Sequence, residues 1–240
     1  MAEASRLHRS AERAATGLTL IEGPHLLEEA ASAGAQIHTV FSTDPETIVP
    51  QGAELVAVAD AALDRLSGTK SPRGPVAVIG IPPSVAVTTD QTLVLYGLAD
   101  PGNVGSLIRS AAAFGAGVIV GPGTADPWSP KTLRAAAGGH FRTMIEMAPH
   151  LDPAALTARG WEVVSTVVTG GVHPDELRAG RHALMIGDEA RGLPPEVAAY
   201  GRAVTISMPG GTESLNAAAA GAVLLFALTK TAKGAGGTHG

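Results

Sequence analysis

Ile206-Ser-Met-Pro-Gly-Gly-Thr-Glu-Ser-Leu-Asn216 joins an apolar, β-branched run to an Ala-rich run that starts at Ala217. Met208-Pro209-Gly210-Gly211 ends a strand, because proline removes a ladder donor and glycine weakens the ladder. Ser214-Leu215-Asn216 then opens a helix, with Thr212 or Ser214 suited to cap it. The run from Ala217 has little side-chain bulk and can pack very closely. Two other polar, Gly-rich turns stand in the same setting: Asp100-Pro-Gly-Asn-Val-Gly-Ser-Leu-Ile-Arg109 and Ile186-Gly-Asp-Glu-Ala-Arg-Gly-Leu193. Each lies between a strand-like run and a helical pattern. That arrangement is the signature of an α/β fold.

Outward from these turns the alternation continues. Beyond residue 90, strands are expected at 92–96, 117–120, 161–168, 183–186 and 203–208. Helices are expected at 104–114, 129–137, 153–159, 194–200 and 215–229. The strands are continuous apolar runs, which fits a parallel sheet covered on both faces. Earlier in the chain, strands at 18–22, 38–41, 54–58 and 75–79 alternate with helices at 25–33 and 59–66. This is a second, smaller α/β module. Ile81-Pro-Pro-Ser-Val-Ala-Val-Thr-Thr-Asp90 separates the two and suits a linker. The organisation expected is a domain at 1–82, a linker at 83–90, a larger domain at 91–231 and a disordered, Gly-rich tail at 232–240.

Composition narrows the function. The chain has 240 residues, 45% hydrophobic, enough for a core in each module. The longest apolar run, Ala217 to Leu228, spans 12 residues. A membrane crossing needs ~20, so no membrane partner is expected. The absence of cysteine excludes disulfides and thiolate metal sites and fits a reducing cytoplasm. A net charge of -5 argues against a broad phosphate-binding face, and 3% aromatics argue against a base-stacking platform. The acidity is uneven: residues 1–80 carry net -4 and residues 81–240 net -1. A local patch of Lys131, Arg134 and Arg142 could still grip a nucleotide; a solvated face is the competing reading.

In the first turn, Val104, Leu107, Ile108, Ala111 and Ala112 recur at helical spacing and form a stripe against the sheet. Asn103 and Arg109 flank it. Asn103 at the helix start can orient a polar ligand, and Arg109 can address phosphate or an oxyanion. In the second turn, Gly187 lets a ligand approach the backbone. Asp188 and Glu189 then precede a helix with proline in its first turn. Each turn alone also describes a capped helix or a tight loop.

Taken together in order and spacing, the three turns resemble the three motifs of the SpoU/TrmH branch of the SPOUT methyltransferases. Ala125-Asp-Pro-Trp-Ser-Pro-Lys-Thr-Leu-Arg134 resembles that family's loop and helix after the second strand. Thr16-Gly-Leu-Thr-Leu-Ile-Glu-Gly-Pro-His25, with Arg13, resembles the start of the N-terminal RNA-recognition module of many members. The resemblance implies an α/β fold with a mostly parallel-sheet, trefoil-knotted SPOUT domain behind a small α/β RNA-recognition domain. It also implies S-adenosyl-L-methionine as methyl donor and a ribose 2′-hydroxyl of structured RNA, rRNA before tRNA, as acceptor. A cytoplasmic homodimer with active sites near its interface completes the picture. Residue by residue, Asn103, Arg109, Glu189, Ser214 and Asn216 match the catalytic site. Gly187, Ile206, Met208, Leu215 and Thr166 match the donor side. The family's proposed general base matches Arg109, an awkward role for a guanidinium, which carries only donors and holds its proton. Charge stabilisation of the 2′-alkoxide is the alternative. Ser207 stands where many relatives have proline, and the alanines after Asn216 where many have Val-Ser-Val. Neither change removes a polar catalytic group.

The eight histidines show no metal-ligand spacing, and Ser106, Ser110 and Ser214 lack a His–Asp pattern, so neither a metal nor a nucleophilic serine is expected. Trp128 reads as a hydrophobic anchor for its loop. Two alternatives carry other functions. One is a catalytically inactive RNA-binding protein of the same fold. The other is a doubly wound small-molecule enzyme, which needs a phosphate loop after the first strand that this sequence lacks.

Overall fold

The computed structural model describes residues 1–68 and 74–234. Ala2–Arg6 (α1) and Ser10–Thr16 (α2) precede Leu18–Glu22 (β1), Pro24–Ser32 (α3), Ile37–Ser42 (β2), Glu54–Ala57 (β3), Asp60–Leu66 (α4) and Val76–Gly80 (β4). These four strands form one sheet in the order β1-β4-β2-β3. Strand β4 runs antiparallel to both neighbours, and β2 and β3 are parallel.

Residues 81–89 form no regular element. Then follow Gln91–Leu95 (β5), Pro101–Phe114 (α5), Gly117–Val120 (β6), Pro130–Ala136 (α6), Ile145–Met147 (β7), Pro153–Ala158 (α7) and Glu162–Thr166 (β8). His182–Ile186 (β9), Pro195–Ala198 (α8), Arg202–Val204 (β10) and Ala217–Gly234 (α9) complete the described chain. The second sheet has the order β10-β8-β9-β5-β6-β7, and every pairing in it is parallel. All five residues of β5 and of β9 are buried, as strands covered on both faces must be.

Several expectations are corrected. The strand expected at 203–208 stops at Val204. The Pro209-Gly210-Gly211 turn, with Gly211 at φ 74°, carries the chain off the sheet. The helix expected at 194–200 is a single turn, Pro195–Ala198. The last helix begins at Ala217 rather than 215, and Asn216 caps it instead of Ser214 or Thr212: its Oδ1 accepts from the Ala218 and Ala219 amides at 3.0 and 3.2 Å. It runs on to Gly234, so 232–234 are helical rather than tail; 235–240 lie outside the described residues. Helices α1 and α2 and the three-residue β7 were not anticipated.

Helix α5 is held on two sides by close backbone approach. A Cβ on Gly105 would lie 2.5 Å from the Thr132 carbonyl oxygen of α6, and one on Gly221 would lie 2.3 Å from Leu107 Cδ2. The low bulk of α9 thus permits the close packing its sequence foretells.

One hydrophobic cluster runs through both modules, from Ile21, Leu26 and Ile79 to Leu107, Ile108 and Trp128. Ion pairs span the same junction. Buried Arg13 reaches Asp126 Oδ2 at 2.5 Å, Arg134 reaches Glu22 at 3.5 Å, and Arg142 reaches both Glu29 oxygens. Lys131 pairs with Asp100 at 3.1 Å. The three candidate phosphate ligands are therefore engaged: two join the modules and the third pairs beside the start of α5. Trp128 is buried against His140, ring centroids 5.0 Å apart, in the anchoring role expected of it.

Candidate functional site

Strands β8, β9 and β10 end on one side of the second sheet, where the chain order jumps from one half of the sheet to the other. Ligand crevices of open α/β sheets form at such strand ends. Here they hold a cavity of about 430 Å³, within the range of small-molecule pockets. Three segments wall it: 166–168 after β8, 186–192 after β9, and 204–217 between β10 and α9.

The middle wall is a hydrogen-bonded turn. Asp188 and Gly192 exchange backbone hydrogen bonds at 3.2 and 2.8 Å. Asp188 Oδ1 also accepts from the Ala190 and Arg191 amides, both at 2.9 Å. Gly187 lies under this turn: a Cβ there would stand 2.4 Å from Gly192 C and Leu193 N, which are backbone and cannot swing aside. On the first wall, the Thr166 hydroxyl donates to the Met185 carbonyl at 2.9 Å, tying the end of β8 to β9.

Seven of the ten expected site residues line this cavity: Glu189, Ser214, Gly187, Ile206, Met208, Leu215 and Thr166. Asn103 and Asn216 connect to it through one hydrogen-bonded chain. Asn216 Nδ2 donates to Asn103 Oδ1 at 2.9 Å, and Asn103 Nδ2 donates to Glu189 Oε1. Arg109 is not brought in. It sits on the exposed side of α5 beside Gly139, outside the cavity lining, with no hydrogen bond or ion pair among the described residues. Asp188, Arg191 and Glu213, which no motif in the sequence marks as ligand contacts, also line the cavity. Their placement inside the Gly-rich turns was the available signal.

The cavity's chemistry is mixed. Ile206, Leu215, Met208 and Leu224 offer an apolar floor, while three carboxylates, Asp188, Glu189 and Glu213, and one guanidinium, Arg191, supply the charged part of the lining. Such a lining suits a ligand with a flat apolar part, excess positive charge and a single carboxylate.

The pattern of the SpoU rRNA Methylase family matches residues 90–226, and that of the MRM3-like substrate binding domain matches residues 2–77. The chain belongs to the SpoU rRNA methylase family. Within it, the chain is 32% identical to the 23S rRNA (guanosine(2553)-2′-O)-methyltransferase RlmP of Bacillus subtilis, over 93% of each protein. Among solved SpoU structures, it matches AviRb of Streptomyces viridochromogenes in complex with AdoMet, with a TM-score of 0.83, 26% identity and 95% and 96% of the two chains covered. It also matches an AdoMet-bound rRNA methyltransferase of Sinorhizobium meliloti, with a TM-score of 0.85, 28% identity and 95% and 93% covered.

Proposed function

We propose that this protein is an S-adenosylmethionine-dependent methyltransferase acting on a ribose 2′-hydroxyl of ribosomal RNA. The observation that carries this reading is the joining of all three Gly-rich turns at one place, through the Glu189–Asn103–Asn216 hydrogen bonds at the cavity's edge. The lining fits the donor's charges. Two positive groups, sulfonium and ammonium, meet three carboxylates, and one carboxylate meets Arg191. The apolar floor suits an adenine ring. When bound, the donor supplies an electrophilic methyl on a cationic sulfur.

The chain's own residues then hold and select. The turn at 188–192 fixes the cavity's shape, and Gly187 keeps room beneath it. Asn103, at the mouth of α5, links Asn216 to Glu189 and holds the Glu189 carboxylate at the edge where the acceptor ribose docks. Ser214, on the exposed lip, offers a hydroxyl to the same ribose. Arg109 faces solvent, where it contacts the RNA backbone as it docks.

The module at 1–82 carries the RNA, in keeping with its match to a substrate-binding domain. The reading includes a trefoil knot in the 91–231 domain, a cytoplasmic location and a homodimer. Val223 and Phe226, exposed on α9, support the dimer. Among the described residues no helix is long and apolar enough to cross a membrane.

The test uses methyl-labelled donor and ribosomal RNA from cells lacking the protein. Label is expected in 2′-O-methylated nucleosides after digestion. Label confined to bases, or none in RNA while the protein binds donor, would overturn the reading.

A further inference from the structure

The hydrogen bonds that join the three turns have a direction that nothing in the chain can reverse. Backbone N–H groups only donate, so the Asn216 atom facing the Ala218 and Ala219 amides is its oxygen. Its NH2 group therefore points at Asn103, and the Asn103 atom that receives it must be the carbonyl oxygen. The Asn103 NH2 group is left for Glu189, which must accept. The chain of donation thus runs from the amides of α9 to Asn216, to Asn103, to Glu189. Its terminus is an acceptor-only carboxylate. Oε1 takes the Asn103 hydrogen, and Oε2 has no partner among the described residues.

We propose that Glu189 Oε2 is the group that takes the proton from the acceptor hydroxyl. This rests on the methyltransferase reading above. The described lining contains no histidine, lysine or tyrosine, so only Asp188, Glu189 and Glu213 can accept a proton there. Asp188 holds its own turn through Oδ1. Glu213 lies on the exposed lip, and no hydrogen bond orients it. Asp188 is oriented only within its own turn, whereas Glu189 is the lining carboxylate oriented by a hydrogen bond from another turn, and that partner leaves its second oxygen free. Arg109 lies outside the lining and, as a guanidinium, has no acceptor to offer.

The step balances. The O2′–H bond breaks and its proton passes to Glu189 Oε2. The released pair forms the O2′–CH3 bond as the methyl–sulfur bond breaks, and that pair returns to sulfur. A cation, an anion and an alcohol become a neutral thioether, a carboxylic acid and an ether. Water then reclaims the proton.

Glu189→Gln decides between this role and a merely positioning one. A glutamine keeps a carbonyl oxygen for Asn103 but cannot take a proton. Single-turnover methylation of a 23S rRNA transcript is expected to fall about 100-fold or more. RNA affinity by filter binding should stay within about threefold. Donor binding by calorimetry should persist with a loss of at most about tenfold, because two of the cavity's three carboxylates remain, and turnover is read at saturating donor. In Glu189→Gly, added formate should restore turnover in proportion to its concentration. A Glu189→Gln protein that methylates at the wild-type rate, or formate that restores nothing, overturns the assignment and leaves the methyltransferase reading intact. A wild-type protein that binds no donor overturns both.

Discussion

Asn216 uses its two side-chain atoms for two purposes. The oxygen caps α9 and the nitrogen directs Asn103. These can be separated by substitution. Asn216→Ala removes both, and losing the cap should cost about 1 kcal/mol. Asn216→Asp keeps the cap, since aspartate caps a helix as well as asparagine. It also sets an acceptor against Asn103 Oδ1. Asn103 must then turn its amide, which brings its oxygen against the Glu189 carboxylate. The expected outcome is a protein with an unchanged thermal midpoint and methylation reduced roughly tenfold or more, the equivalent of ~1.4 kcal/mol in the barrier. A fully active Asn216→Asp would show that the direction of the amide chain does not matter. Sequence alone placed Asn103, Glu189 and Asn216 together only through resemblance. Their contact spans 86 and 113 residues of chain, and no local periodicity encodes it.

Elements were legible where their patterns were long. The 14 residues of α5 and the buried strands β5 and β9 carry continuous signals, and the structure has them near the expected bounds. The misses are short or are decided by packing. Strand β7 has three residues, too few to show alternation, and pairs only with β6 in the sheet. The end of β10 is set by where the loop 205–216 must turn over the cavity. A buried histidine was equally invisible. His140 donates through Nε2–H to the Pro127 carbonyl, 2.7 Å away, and packs on Trp128 between α6 and β7. Burial pushes its pKa from 6.5 down to about 4. The folded protein therefore holds it neutral while the unfolded chain protonates near 6.5. Stability present above pH 6.5 is lost as pH falls toward 4 and levels off below that. The lost amount is about 3 kcal/mol. Denaturant titrations at pH 7 and pH 4.5 should show most of this drop in wild type. His140→Gln, which can still reach Pro127, should lack it. Equal slopes in the two proteins would place the acid sensitivity elsewhere, for example at Glu146, whose carboxyl Arg159 and the Val87 amide hold below its ordinary value against the opposing effect of burial.

For the molecule as a whole, the sequence marked two modules, and the structure binds them with one continuous apolar cluster and a set of ion pairs. Arg13 is the member of this junction most sensitive to change. It is 4% exposed, and its guanidinium bonds Asp126 Oδ2 through Nε and Nη2 and the Leu7 carbonyl through Nη1. Asp126 in turn accepts from the Trp128 amide at 2.8 Å, so one carboxylate serves both the N-terminal module and the loop that leads into α6. Truncating it leaves a buried cation without its partner, which costs about 3 kcal/mol. At this chain length that is a drop of roughly 6–12 °C in the thermal midpoint. Because the apolar cluster is shared, the loss should not be confined to one module. Calorimetry of Asp126→Ala is expected to show a single transition, as in wild type, moved to lower temperature as a unit. A split into two transitions, one at the wild-type midpoint, would mean that the modules fold independently and that the junction merely holds them side by side. A single shifted transition means that the two modules are set in register by the fold itself, so that, under the function proposed above, an RNA held by the first would arrive at the second in one fixed orientation.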